Sequence, residues 1–135
     1  WIQMKTSELI GPALDYSVAK CEAVTLAEHI EGNYSWLEHE VTGNWVTYSP
    51  STDWSQGGPI ICREITKVFR NVSGTWSAMI LKDVPIPPED RGTSLALTRR
   101  AQWNGAGPTP LIAAMRCLVA SRIGDEVEIP EELCK

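Results

Sequence analysis

No stretch of this sequence approaches the roughly 20 consecutive apolar residues that cross a bilayer, so a spanning helix is excluded. The opening WIQMKTSEL lacks the charged start and apolar core of a signal peptide. The cysteines, Cys21, Cys62, Cys117 and Cys134, form no CxxC pair, and only His29 and His39 stand ready to join them. Structural zinc needs tighter ligand pairing, so no metal site is expected. Positive charge is in deficit, with twelve Lys and Arg against seventeen Asp and Glu for a net charge of −5. General nucleic-acid binding needs a basic surface and is excluded, whereas one local pocket for a small anion is not. The Walker lysine motif, HExxH, GxSxG and GxGxxG are all missing. No cofactor is expected, and no active site assembles from signature motifs.

What remains is a 135-residue chain with 43% hydrophobic residues, ten glycines and nine prolines. That length suits one domain with one ordinary core and structured loops. Met4 reads as a natural start, so residues 1–3 are set aside and the domain is taken as 4–135. Gly11-Pro12 opens a helix running to about Glu22, with Ala13, Leu14, Val18 and Cys21 on one face. Residues 24–31 are ambiguous between helix and strand. NWVTY, 44–48, alternates and reads as a strand. SPSTDWSQGGP, 49–59, has no periodicity and reads as a loop; IICREITKVF, 60–69, reads as a helix starting at Pro59, with strand as the alternative. GTWSAMIL, 74–81, is a strand. Residues 82–94, rich in proline and charge, read as a surface loop, and 95–103 as a strand or short helix. GAGPTPLIAAMRCLVASRIG contains a second, well-framed helix over 110–123: Thr109 as cap, Pro110 in the first turn, Gly124 as stop. Residues 125–135 form an acidic tail in which Val127 and Ile129 alternate, suiting an edge strand or a surface segment. Separated helices and strands without regular β-α-β alternation predict a small α+β domain with a few strands and two to three helices. Cys21 and Cys117 fall in helical patterns and read as core fillers.

Two segments, SQGGPII and GAGPTPLI, share a design in which glycines precede a helix start. Free N–H groups and partial positive charge at such a start can hold phosphate or carboxylate, and glycine lets the ligand approach. The same design also serves as a plain cap. Around the first segment, Tyr48, Ser51, Thr52, Asp53, Trp54 and Gln56 offer stacking and hydrogen bonding to a ring-bearing polar ligand, beside the backbone of Gly57 and Gly58. Around the second, Trp103 offers a second stacking face and Gly107 to Thr109 a second phosphate cradle. Arg116 would offset ligand charge, with Arg99 and Arg100 nearby in sequence. Asp53, Glu64 and His39 are the plausible bases if the ligand is also cleaved.

The stretches MKTSELIGPALDYSVAKCE, YSPSTDWSQGGPII and GPTPLIAAMRCLVASRIGDEVEIPEEL resemble the NinX-like family of small tailed-phage proteins. The resemblance covers roughly half the chain and is weakest over 63–103. It implies a phage accessory gene expressed in the host bacterial cytoplasm and carries over no catalytic residue. Joined to the residue pattern, it leads to the expectation of a protein that binds a small nucleotide-like ligand and sequesters a bacterial immune signal. A symmetric oligomer could complete such a pocket. The alternatives are a nucleotide-hydrolysing or -modifying enzyme and an inhibitor docking on a host protein through the tail 125–133.

Overall fold

A computed structural model describes residues 1–31 and 34–134, with the side chains of 28–31, 34–36 and 134 left undescribed. The His29 and Cys134 side chains therefore lie outside the described residues.

The centre of the fold is helix α3, Pro110–Arg122. Thr109 caps it, accepting the Ile112 N–H at 3.1 Å through its hydroxyl, and Pro110 occupies the first turn. Its buried residues, Leu111 to Met115 and Cys117 to Val119, occupy nearly every side of the helix rather than one stripe. Such a helix must be covered all round, and it is. Helix α1, Gly11–Glu22, and helix α2, Trp54–Glu64, pack on one side. Strands β5 (Lys67–Arg70), β6 (Trp76–Pro85) and β7 (Thr98–Gly107) form an antiparallel sheet in that order on the other. A second antiparallel sheet holds β2 (Ala27–Glu31), β3 (Tyr34–Val41) and β4 (Asn44–Thr47). A third pairs β1 (Ile2–Lys5) with β8 (Glu126–Ile129). The molecule is an α+β single domain, as its sequence pattern predicts.

Several local expectations are corrected. Ile2 and Gln3, set aside above, are part of β1, where Ile2 pairs with Ile129 and Gln3 with Glu128. The acidic tail is half core: Val127, Ile129 and Leu133 are buried while Glu126 and Glu128 face outward. Deleting it would expose that core, so loss of a partner on deletion would not identify a docking surface. Residues 82–85 continue β6, paired across to 98–101 of β7, and only the remainder of 82–94 is an excursion. Helix α2 starts at Trp54, five residues before Pro59, and ends at Glu64, after which 67–70 is strand. The reason is Asp53, whose carboxylate accepts the Ser55 N–H at 2.9 Å and the Ser55 hydroxyl at 2.7 Å, an N-cap that starts the helix early.

The glycines also have a packing reason. A side-chain carbon on Gly105 would sit 2.4 Å from the Ala113 carbonyl oxygen and 2.5 Å from the Cys117 nitrogen. On Gly107 it would meet Ile112 at 2.8 Å. NGAG is therefore the end of β7, without a side chain at Gly105 and Gly107 so that α3 can lie on the strand. Gly57 lies inside α2, where a methyl would meet the Pro50 carbonyl oxygen at 2.3 Å and Leu111 at 2.6 Å.

Candidate functional site

The structure distributes most of the sequence-derived candidates over three cavities. One is a cleft of about 610 Å³ between the end of α1, the β3–β4 hairpin and α2. Val24, Val41, Val46, Pro59 and Ile60 make its apolar walls; Glu22, His39, Tyr48, Asp53, Ser55, Gln56 and Arg63 supply the polar groups. The His39 and Tyr48 rings meet edge to face, with centroids 4.8 Å apart. His39 Nε2 is buried and has no hydrogen-bond partner among the described residues. Burial raises the Tyr48 phenol well above its usual range, so it remains a neutral hydroxyl.

Tyr48, Asp53 and Gln56 thus share one cleft, but two of them also hold the loop together. Gln56 accepts the Ser49 N–H at 2.9 Å and donates to the Thr47 carbonyl at 2.7 Å. Asp53 is the cap of α2, and its bonds from Ser55 hold its carboxyl below the usual range. The Asp-x-x-Gln spacing of 53–56 has the form of a capping box, a signal that would have placed the helix start correctly. At the rim, Arg63 pairs with Glu22 and, at 3.1 Å, with Glu64. Glu64 is further bound by Arg122 at 2.9 Å and Lys82 at 3.6 Å. Burial pushes the Glu64 carboxyl upward, but these cations outweigh it and hold the group below the usual range. A carboxylate in that state is a weak base.

The second cavity, about 190 Å³, answers whether the two glycine-bearing segments meet. Ser51, Thr52 and Trp54 line it from one side and Thr109, Pro110, Leu111 and Ile112 from the other. The starts of α2 and α3 do converge. The cavity is below the several hundred Å³ typical of ligand sites, and Asp53 and Thr109 already bond N–H groups in the first turns. Trp54 is 56% exposed beside it. Ser51 is buried; its N–H donates to Asp15 at 2.9 Å, while its hydroxyl sits by the same carboxyl without a well-formed bond.

The third is a groove of about 560 Å³ between the β1–β8 pair, α3 and the sheet β5–β6–β7, and it receives Arg116. The Arg116 guanidinium donates to the Leu9 carbonyl and the Ala106 carbonyl, both at 2.8 Å. Gly57, Gly58, Trp103 and Gly107 line none of the three cavities. Trp103 packs partly buried against the core. From sequence, His39 is offered only as a base and no ligand role is assigned to Arg63 or Lys5, because their surroundings come from elements distant in sequence.

Among the described residues no group of three or more His, Cys, Asp or Glu is arranged to hold a metal. Among the described residues no helix is long and apolar enough to cross a membrane. Cys117 is buried and Cys21 half-buried, and burial pushes both thiols up to about 11; Cys62 is exposed.

Fold and clefts together define a small α+β domain with ligand-sized cavities. The chain matches the family described as Bacteriophage P22, NinX over residues 5–122, and it belongs to that phage family. No curated protein matches it.

Proposed function

We propose that this phage accessory protein captures a small nucleotide-derived ligand in the cleft between the β3–β4 hairpin and α2, and thereby sequesters a signal of host anti-phage defence. The observation that carries the reading is His39 Nε2, a buried polar atom in the cleft wall with no hydrogen-bond partner among the described residues. Leaving such an atom unsatisfied costs about 1–3 kcal/mol, which a ligand hydrogen bond would recover. The volume, about 610 Å³, lies within the range of small-molecule sites. Apolar walls with two aromatic rings suit a nucleobase, and Ser55 and the Tyr48 hydroxyl suit its polar edges. Arg63, 54% exposed at the rim where it also pairs with Glu22 and Glu64, supports the reading as a donor to phosphate. In this reading Asp53 and Gln56 shape the cleft, and Trp54, Thr52, Ser51 and Thr109 form its neighbouring surface.

The test is a thermal-shift screen against mononucleotides, cyclic dinucleotides and ADP-ribose derivatives, with the ligand recovered and analysed. A ligand that binds only the folded state raises the melting temperature. The expected result is a shift with intact ligand recovered, lost in His39→Ala and weakened in Arg63→Gln. Cleaved ligand would instead make the protein an enzyme, and no shift with any nucleotide would refute nucleotide capture.

A further inference from the structure

We propose that the groove between the β1–β8 pair and the sheet β5–β6–β7 is a second ligand site, which takes a monoanionic organic acid with an apolar body. Two cations line it, Lys5 from the end of β1 and Arg116 from α3. Neither forms an ion pair with a carboxylate of the described residues. The bonds of Arg116 run to two backbone carbonyls, which fix the plane of the guanidinium and leave Nη2 uncommitted. A partly buried guanidinium held in place without a counter-charge is a preorganised donor for an anion. Burial lowers its pKa, yet arginine stays charged.

The rest of the lining defines the class of anion. Phe69, Ala78, Gly105, Ala106 and Ala120 give the groove mainly apolar walls. A hydrated inorganic ion gains nothing from such walls, whereas an aromatic or aliphatic body does. Asp125 and Glu126 also line the groove. Their charge penalises a phosphate dianion more than a carboxylate monoanion at the same distance. Glu126 is directed elsewhere, accepting from Gln3 at 2.7 Å across the strand pair, which leaves Lys5 free of its cross-strand neighbour. This site shares no lining residue with the cleft of His39 and does not depend on nucleotide capture.

The probes are 3-phenylpropionate, its neutral analogue 3-phenylpropanol and phenyl phosphate, titrated calorimetrically into the full chain. The carboxylate should bind, more tightly than phenyl phosphate, and the alcohol should not. Lys5→Met changes an exposed side chain and should weaken carboxylate binding about tenfold, the scale of one charge-assisted hydrogen bond. Arg116→Lys keeps the charge but loses the fork, and should weaken it similarly. His39→Ala should leave it unchanged, so failure here and failure of nucleotide capture are distinguishable. Absence of carboxylate binding, equal binding of the alcohol, tighter binding of phenyl phosphate, or indifference to Lys5→Met would each overturn the proposal.

Discussion

Glycines that look alike in sequence do opposite work, and their substitution separates the roles. Gly58 faces open space in α2, with only Trp54 at 3.9 Å from an added carbon. Gly58→Ala should stabilise the fold by about 0.5–1 kcal/mol, since alanine loses less chain entropy in a helix. Its neighbour Gly57 meets the Pro50 backbone, and Gly105 meets the backbone of α3, neither of which can rotate away. Gly57→Ala and Gly105→Ala should each cost about 2 kcal/mol or more through forced separation of packed elements. Urea denaturation of the three variants checks the order. The residue types of the glycine segments were legible, but their purpose was not. Closeness of backbone to backbone is set by α3 lying on β7, which no local window contains. Asp53 and Gln56 are the converse case: their spacing is a local cap signature, and a capping role for Asp53 competes evenly with a ligand role on sequence alone until the fold shows the cap.

Elements whose signals lie within one window were the legible ones. Helix α3 has its cap, first-turn proline and stop glycine in sequence order, and it forms where expected. Thr109→Ala should cost about 1 kcal/mol by removing the bond to the Ile112 N–H, measurable as a lower denaturation midpoint. Strand β8 shows its alternation, but its partner is β1 at the opposite end of the chain, so a strand and a surface segment looked equally apt. Pairing decides it, burying Ile129 completely. Ile129→Ala should therefore cost about 2–4 kcal/mol, as for other buried aliphatic truncations, whereas a true tail would tolerate it. The candidate site was legible only in part for the same reason. Tyr48, Asp53 and Gln56 came together because one loop supplies them, while His39 and Arg63 reach the cleft from β3 and the end of α2.

At the scale of the whole molecule, one buried acid links stability to pH. Asp15 of α1 is 5% exposed and accepts the Ser51 N–H, tying the helix to the loop that leads into α2. Burial raises its pKa from 3.8 to about 6, against the smaller opposing effect of the Ser51 N–H bond and the nearby Ser51 hydroxyl. In the unfolded chain the carboxyl titrates near its ordinary value, so between about pH 4 and 6 the folded state binds the extra proton. The sign is therefore the reverse of the usual carboxylate. This group's penalty is fully present above about pH 6, shrinks as pH falls, and disappears below about pH 4. Asp15→Asn keeps an oxygen for the Ser51 N–H and brings an amide donor beside the ill-satisfied Ser51 hydroxyl. It should stabilise the protein by about 2 kcal/mol at pH 7.5, with the advantage fading toward pH 4. Chemical denaturation of both proteins across that range measures the difference directly, and other titrating groups cancel because the two chains share them. An advantage that is flat with pH would mean that Asp15 titrates in the folded protein as it does in the unfolded chain. A growing advantage at low pH would mean that the carboxylate, not the acid, is the form the fold prefers.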